Sequence, residues 1–141
     1  MKDEEVQAYL IQLEEYEKNM NVLANQQELM RKSLEEHLKV LETLKNFAAL
    51  EKETEILIPL GAGVFLPGNS KNMDRVIINI GGNIFMEAKM EKATEMVEKR
   101  ANGIKEAIEK ISRQMAAIER EAGKITNLLR EEEEKRLGRN A

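Results

Sequence analysis

At 141 residues and a formal charge of −4 at pH 7, with 34% charged and 4% aromatic residues and no Trp, the chain has too few bulky apolar side chains for an ordinary single-core globule. Cysteine is absent, which removes disulfides, thiol catalysis and Cys-based zinc sites, and Lys and Arg are interleaved with acids, so no basic face is left for nucleic acid. MKDEEVQAYL has no signal-peptide core and no stretch approaches the ~20 apolar residues of a membrane span, so the expectation is a soluble cytoplasmic protein without membrane contact.

From the start, apolar residues recur in steps of three and four: Tyr9, Leu13, Tyr16, Met20, Leu23, then polar Gln27, then Met30, Leu34, His37, Leu41, Leu44 and Ala48. That is a coiled-coil seam. After a middle segment the alternation returns as Met90, Ala93, Val97, Arg100, Ile104, Ile108, Ile111, Met115, Ile118, Ala122, Ile125 and Leu129. Two successive steps of four at Arg100, Ile104 and Ile108 predict a stutter. The two seams are equally long, and a compact connection between them predicts an antiparallel hairpin of helices with arms of about 60–70 Å. Neither arm is stable alone, because helix stability comes mainly from packing of the apolar stripe.

The middle segment, ILIPLGAGVFLPGNSKNMDRVIINIGGNIFMEA, holds both prolines and five of the eight glycines. ILIPL and GVFLP flank GAG, and RVIINI and IFME flank GGN, which predicts two β-hairpins in series. Pro59 and Pro67 lack an N–H and belong at strand ends or edges. Alternation sets Ile56, Ile58, Leu60, Val64 and Leu66 on the apolar surface of the first hairpin. Val76, Ile78, Ile80, Ile84 and Met86 do the same in the second. Two-stranded hairpins are marginal in water, and nothing else in the chain is expected to cover these side chains, so they are the expected oligomer interface. The organisation is residues 1–50 as the first helix, 51–88 as the assembly module, 89–137 as the second helix and 138–141 as a short tail.

A helix, LIPLGAGVFLPG, a polar loop, RVIINIGGNIFME and a second helix together resemble the α-class subunit of prefoldin, of the archaeal type, with landmarks at Pro59 to Gly68 and Ile80 to Glu87. The resemblance covers essentially the whole chain. It implies an α+β fold, a long antiparallel coiled-coil hairpin with two β-hairpins in the linker that form a β-barrel platform on oligomerisation. It further implies an ATP-independent holdase that captures unfolded polypeptide clients at the coiled-coil tips and passes them to a group II chaperonin. The partners implied are β-class prefoldin subunits or copies of the chain itself.

Other chemistry is hard to place. GAG and GGN could cradle a phosphate, but no G-x-x-x-x-G-K-[ST] occurs and neither cluster opens a helix after a buried strand. His37 has no second His to complete a metal site, and the many glutamates read as solvated helix faces. The expectation is therefore no enzyme, no cofactor and no metal. In REEEEKRLGRNA the i,i+4 pairs Arg130–Glu134, Glu131–Lys135 and Glu132–Arg136 predict helix to about Leu137 with Gly138 at its stop. At the arm ends Val6, Tyr9, Leu10, Leu13 and Tyr16 face Ile125, Leu128 and Leu129. These eight are the candidate client-binding residues, the plainer alternative being that they only close the hairpin. A rival for the whole protein is a structural homo-oligomer or filament assembled through the same β-hairpins.

Overall fold

The computed structural model describes residues 1–50, 53–70 and 74–140. Residue 51, the expected start of the linker, and Ala141 of the expected tail lie outside them. The chain folds as α1 (Asp3–Ala48), β1 (Glu55–Gly61), β2 (Val64–Asn69), β3 (Arg75–Gly81), β4 (Ile84–Lys89) and α2 (Met90–Asn140). Two long helices thus bracket two antiparallel β-hairpins, as the seams and glycine turns predict. No helix of the described residues is long and apolar enough to cross a membrane. The chain divides into two compact units, one of Met1–Lys32 with Ile104–Ala141, the other of Ser33–Gly103.

In the first unit the two helical segments run antiparallel, since Asp3 meets Arg136 and Gln27 meets Ser112. Tyr9, Leu13, Tyr16, Met20 and Leu23 are half-buried, and Ile111 and Ile125 are buried. Gln27, the polar break in the first seam, donates from Nε2 to Ser112 Oγ at 2.7 Å and to the Ile108 carbonyl at 3.1 Å. α2 differs from expectation at its end, running through Gly138 to Asn140. A lone helical glycine costs only about 1 kcal/mol relative to alanine, and Arg139 in the last turn favours the helix C-terminus.

The hairpins of the second unit are built alike. β1 pairs with β2 from Glu55↔Asn69 to Gly61↔Val64, and β3 with β4 from Arg75↔Lys89 to Gly81↔Ile84, each pair in the second ladder lying twenty residues after its counterpart in the first. The irregularity falls at the same place in both, between Pro59 and Gly61 and between Asn79 and Gly81. Each turn has two central residues with positive φ, Ala62 (51°) and Gly63 (76°), then Gly82 (57°) and Asn83 (59°). This is the hairpin geometry whose twist matches the strands. Gly61 and Gly81, at φ 106° and 117°, sit where only glycine is unstrained.

Two expectations are corrected in this unit. Arg100 is not a seam residue: it is exposed, and Ala101 is buried in its place, so the successive steps of four fall at Ala93, Val97 and Ala101. A long guanidinium has a better partner nearby, because Arg100 Nη2 donates to the Asn79 carbonyl at 2.7 Å and ties β3 to α2. The second correction concerns the apolar face of the second hairpin, which the chain covers in part, at Val76, Ile78 and Ala88, while Ile80, Ile84 and Met86 stay exposed. Ile78 and Ala88 form a core with Ala93 and Val97, against which Leu41, Val76 and Met96 pack. α2 starts directly after β4, with the Met90 N–H donating to the Asp74 carbonyl at 2.7 Å, so its first turns lie under the strands they follow.

His37 stays on its own helix, its Nδ1 lying 2.6 Å from the Ser33 carbonyl. No cluster of His, Cys, Asp or Glu fit to hold a metal occurs among the described residues.

Candidate functional site: hairpin faces and arm ends

Cross-strand pairing defines the hairpin faces. In the first hairpin Ile56↔Gly68 and Ile58↔Leu66 share one face, while Leu57↔Pro67 and Pro59↔Phe65 share the other. Both are apolar, and no charged residue occurs from Ile56 to Gly68. In the second, Val76↔Ala88 and Ile78↔Met86 form the face turned to the helices, and Ile77↔Glu87 and Asn79↔Phe85 the face turned away. The expected interface residues therefore separate. Ile58, at 42% exposure, stays open with Leu60, Val64, Leu66, Ile80, Ile84 and Met86, while Ile56 and Val76 are half-buried and Ile78, at 9%, lies inside its own chain. The exposed Leu57, Phe65, Ile77 and Phe85 were missed by sequence reasoning, which followed a single apolar face. A run without charge on either face was the available signal, since it marks a strand meant to be covered twice.

The arm ends belong to the first unit. Leu10 (46% exposed) and Leu128 (41%) are open, Val6, Tyr9, Leu13, Tyr16 and Leu129 are half-buried, and Ile125 is buried in the seam. Val6, half-buried like Tyr9, extends the first seam by one step of three ahead of it. Val6, Leu10, Leu129 and Leu137 line a shallow recess with Glu132 and Arg136 on its polar side. Both charged residues continue the second seam past Leu129 by a three and a four, a signal present in the sequence but read there as a solvated pair.

Their chemistry is local. Glu132, 6% exposed, accepts from Arg136 Nε at 3.2 Å and lies 3.4 Å from the Met1 ammonium, and Arg136 Nη2 reaches Asp3 at 2.8 Å and the Met1 carbonyl at 3.3 Å. Burial alone would push the Glu132 carboxyl up, but Arg136 and the ammonium outweigh it and hold it below the ordinary carboxylate range. The hydrogen bonds to Glu132 and Asp3 in turn raise Arg136. Because folding lowers the Glu132 pKa, the cluster contributes stability at neutral pH that is lost as pH falls through that depressed value. Glu132→Gln is accordingly expected to speed amide exchange over residues 3–10 at pH 7, the difference from the unaltered chain vanishing in acid. A constant difference at all pH values would show that the carboxylate does not close the arm ends.

Two long helices bracketing hairpins with open apolar faces define a class, the coiled-coil subunit of an oligomer. The comparisons agree. A family model described as prefoldin subunit matches residues 13–135. The prefoldin subunit alpha of Pyrococcus horikoshii is 33% identical over 115 residues, 81% of this chain and 78% of its own length. Among solved structures, filamentous PFD from Methanocaldococcus jannaschii matches with a TM-score of 0.54 at 25% identity, over 92% of this chain and 99% of that one. The prefoldin beta subunit from Thermococcus strain KS-1 shares the fold with a TM-score of 0.62 at 16% identity, over 90% of each chain. The chain belongs to the prefoldin family, in its α class, and its role is that of a chaperone subunit.

Proposed function

We propose that the chain is a subunit of an ATP-independent holdase that captures unfolded polypeptides on the apolar arm ends, assembles through its hairpins with β-class subunits or further copies, and hands clients to a group II chaperonin in the cytoplasm. The observation that carries this reading is the set of open leucines at the arm ends, Leu10, Leu128 and Leu137, of which Leu10 and Leu137 line the recess. Capture is then burial of apolar surface, about 1.5–3 kcal/mol for each fully buried leucine, too weak singly to trap a folded protein. Several arms on one assembly raise the effective concentration of such sites.

The test is suppression of aggregation of a chemically denatured client, followed by light scattering. The triple change Leu10→Ser, Leu128→Ser, Leu137→Ser is expected to remove most of the protection, and ATP to make no difference to either form. Full protection by the serine form would place capture elsewhere. A structural homo-oligomer or filament remains a second reading, favoured by the likeness to the filamentous PFD structure.

A further inference from the structure

The recess at the arm ends has an apolar floor and a rim of unequal charge. At about 310 Å³ it stands at the small end of binding clefts, with room for one or two side chains rather than a helix. Glu132, Glu133 and Arg136 border the floor of Val6, Leu10, Leu129 and Leu137. Arg136 is already engaged by two carboxylates, with Nε 3.2 Å from Glu132 and Nη2 2.8 Å from Asp3. Glu132 is buried against that same guanidinium, so neither charge is open to a visitor. Glu133 differs: it is exposed and forms no ion pair among the described residues. The one open charge on the rim is a carboxylate.

An apolar residue that enters the recess brings its sequence neighbours onto this rim. In an extended chain alternate side chains share a face about 7 Å apart, so the residue two places from the buried one is set beside the recess. There an acidic side chain meets Glu133 with like charge. Lys or Arg meets it with opposite charge, and Glu133 stands one helical turn from Leu129 and from Leu137, at i+4 and i−4, so all three share a helix face. The aliphatic stem of Lys or Arg can therefore lie over the exposed Leu137 while its head reaches the carboxylate.

We propose that the arm end selects among unfolded chains by charge: it takes segments in which an aliphatic residue stands two places from Lys or Arg and disfavours those with an acid there, and Glu133 sets the preference. The proposal rests on the reading that clients are captured at the arm ends. It adds a polar criterion to what burial of apolar surface alone leaves indiscriminate.

The test measures capture of the full chain, as purified, by short peptides fixed densely to a surface. Each peptide has a neutral Gly and Ser background carrying Leu, with Lys two places to either side in one and Glu in its twin; both are repeated with Ser in place of Leu. The Lys peptide with Leu is expected to hold the chain about two- to fivefold better than its Glu twin at low salt, the gap closing as salt is raised. Glu133→Gln should level the two, and Glu133→Lys should reverse their order. Because the whole chain carries a formal charge of −4, Glu134→Lys is the control: it makes the same change of charge at an exposed residue off the recess and should leave the order as it was. Equal capture of the Lys and Glu peptides, a preference untouched by Glu133→Gln, or reversal by Glu134→Lys as well would each overturn the proposal and leave the arm ends as the capture site. Leucine peptides held no better than their serine twins would overturn both.

Discussion

Aspartate at Ile58 and aspartate at Ile78 are expected to have opposite signatures, although the two residues are counterparts in their hairpins. Ile78 is 9% exposed and packs on Ala93 and Val97, where Ala93 is 1% exposed, so a carboxylate there is buried without a partner. The cost is several kcal/mol, comparable with the whole stability of a small domain. Ile78→Asp should lower the melting temperature sharply and reduce helicity. At 42% exposure Ile58 leaves a carboxylate wetted in the isolated chain, and the same cost falls only on association. Ile58→Asp should therefore keep helicity and melting behaviour at low concentration and lose the large species in light scattering. Equal destabilisation by both would mean that the first hairpin is also clamped to its own helices.

Trimming residues 1–10 and 129–141 is expected to abolish most client protection while leaving the oligomer mass unchanged. The cut removes the recess and the cluster of Glu132, Arg136 and Asp3, yet keeps Gln27 with Ser112, the buried Ile111 and Ile125, and both hairpins. Several weak sites acting together lose affinity multiplicatively when each is weakened, so protection should fall by far more than the area removed. A scaffold valued for its shape predicts little change. Light scattering of a denatured client at equal arm concentration decides, and undiminished protection would return Val6, Tyr9, Leu10 and Leu129 to the plain task of closing the helix pair.

Features with a fixed period were legible in the sequence. The three–four alternation located both helices, and glycines flanking apolar runs located both turns, because positive φ at successive positions excludes most other residues. Features that depend on competition between neighbours were not. Arg100 and Ala101 both fit a seam with a stutter, and the choice was made by a carbonyl on β3 that no local pattern announces. Ile58 and Ile78 sit in nearly identical strings, but only the second hairpin is followed at once by a helix, and that chain connection decides which is covered. Glu132 was hidden by its type: a seam position filled by a carboxylate reads as surface until its two cations are placed around it.

On the proposed reading, a client gripped at the arm ends would pull along the helices, and a stripe of aliphatic contacts resists such shear poorly, because a slide of one heptad exchanges one set of methyl groups for another of similar area. Gln27 behaves as a detent. Its Nε2 donates to Ser112 and to the Ile108 carbonyl in one alignment only, and displacement exchanges both partners for water at a net cost of about 0.5–1.5 kcal/mol for each bond, so tension meets a small click-stop before any gradual creep.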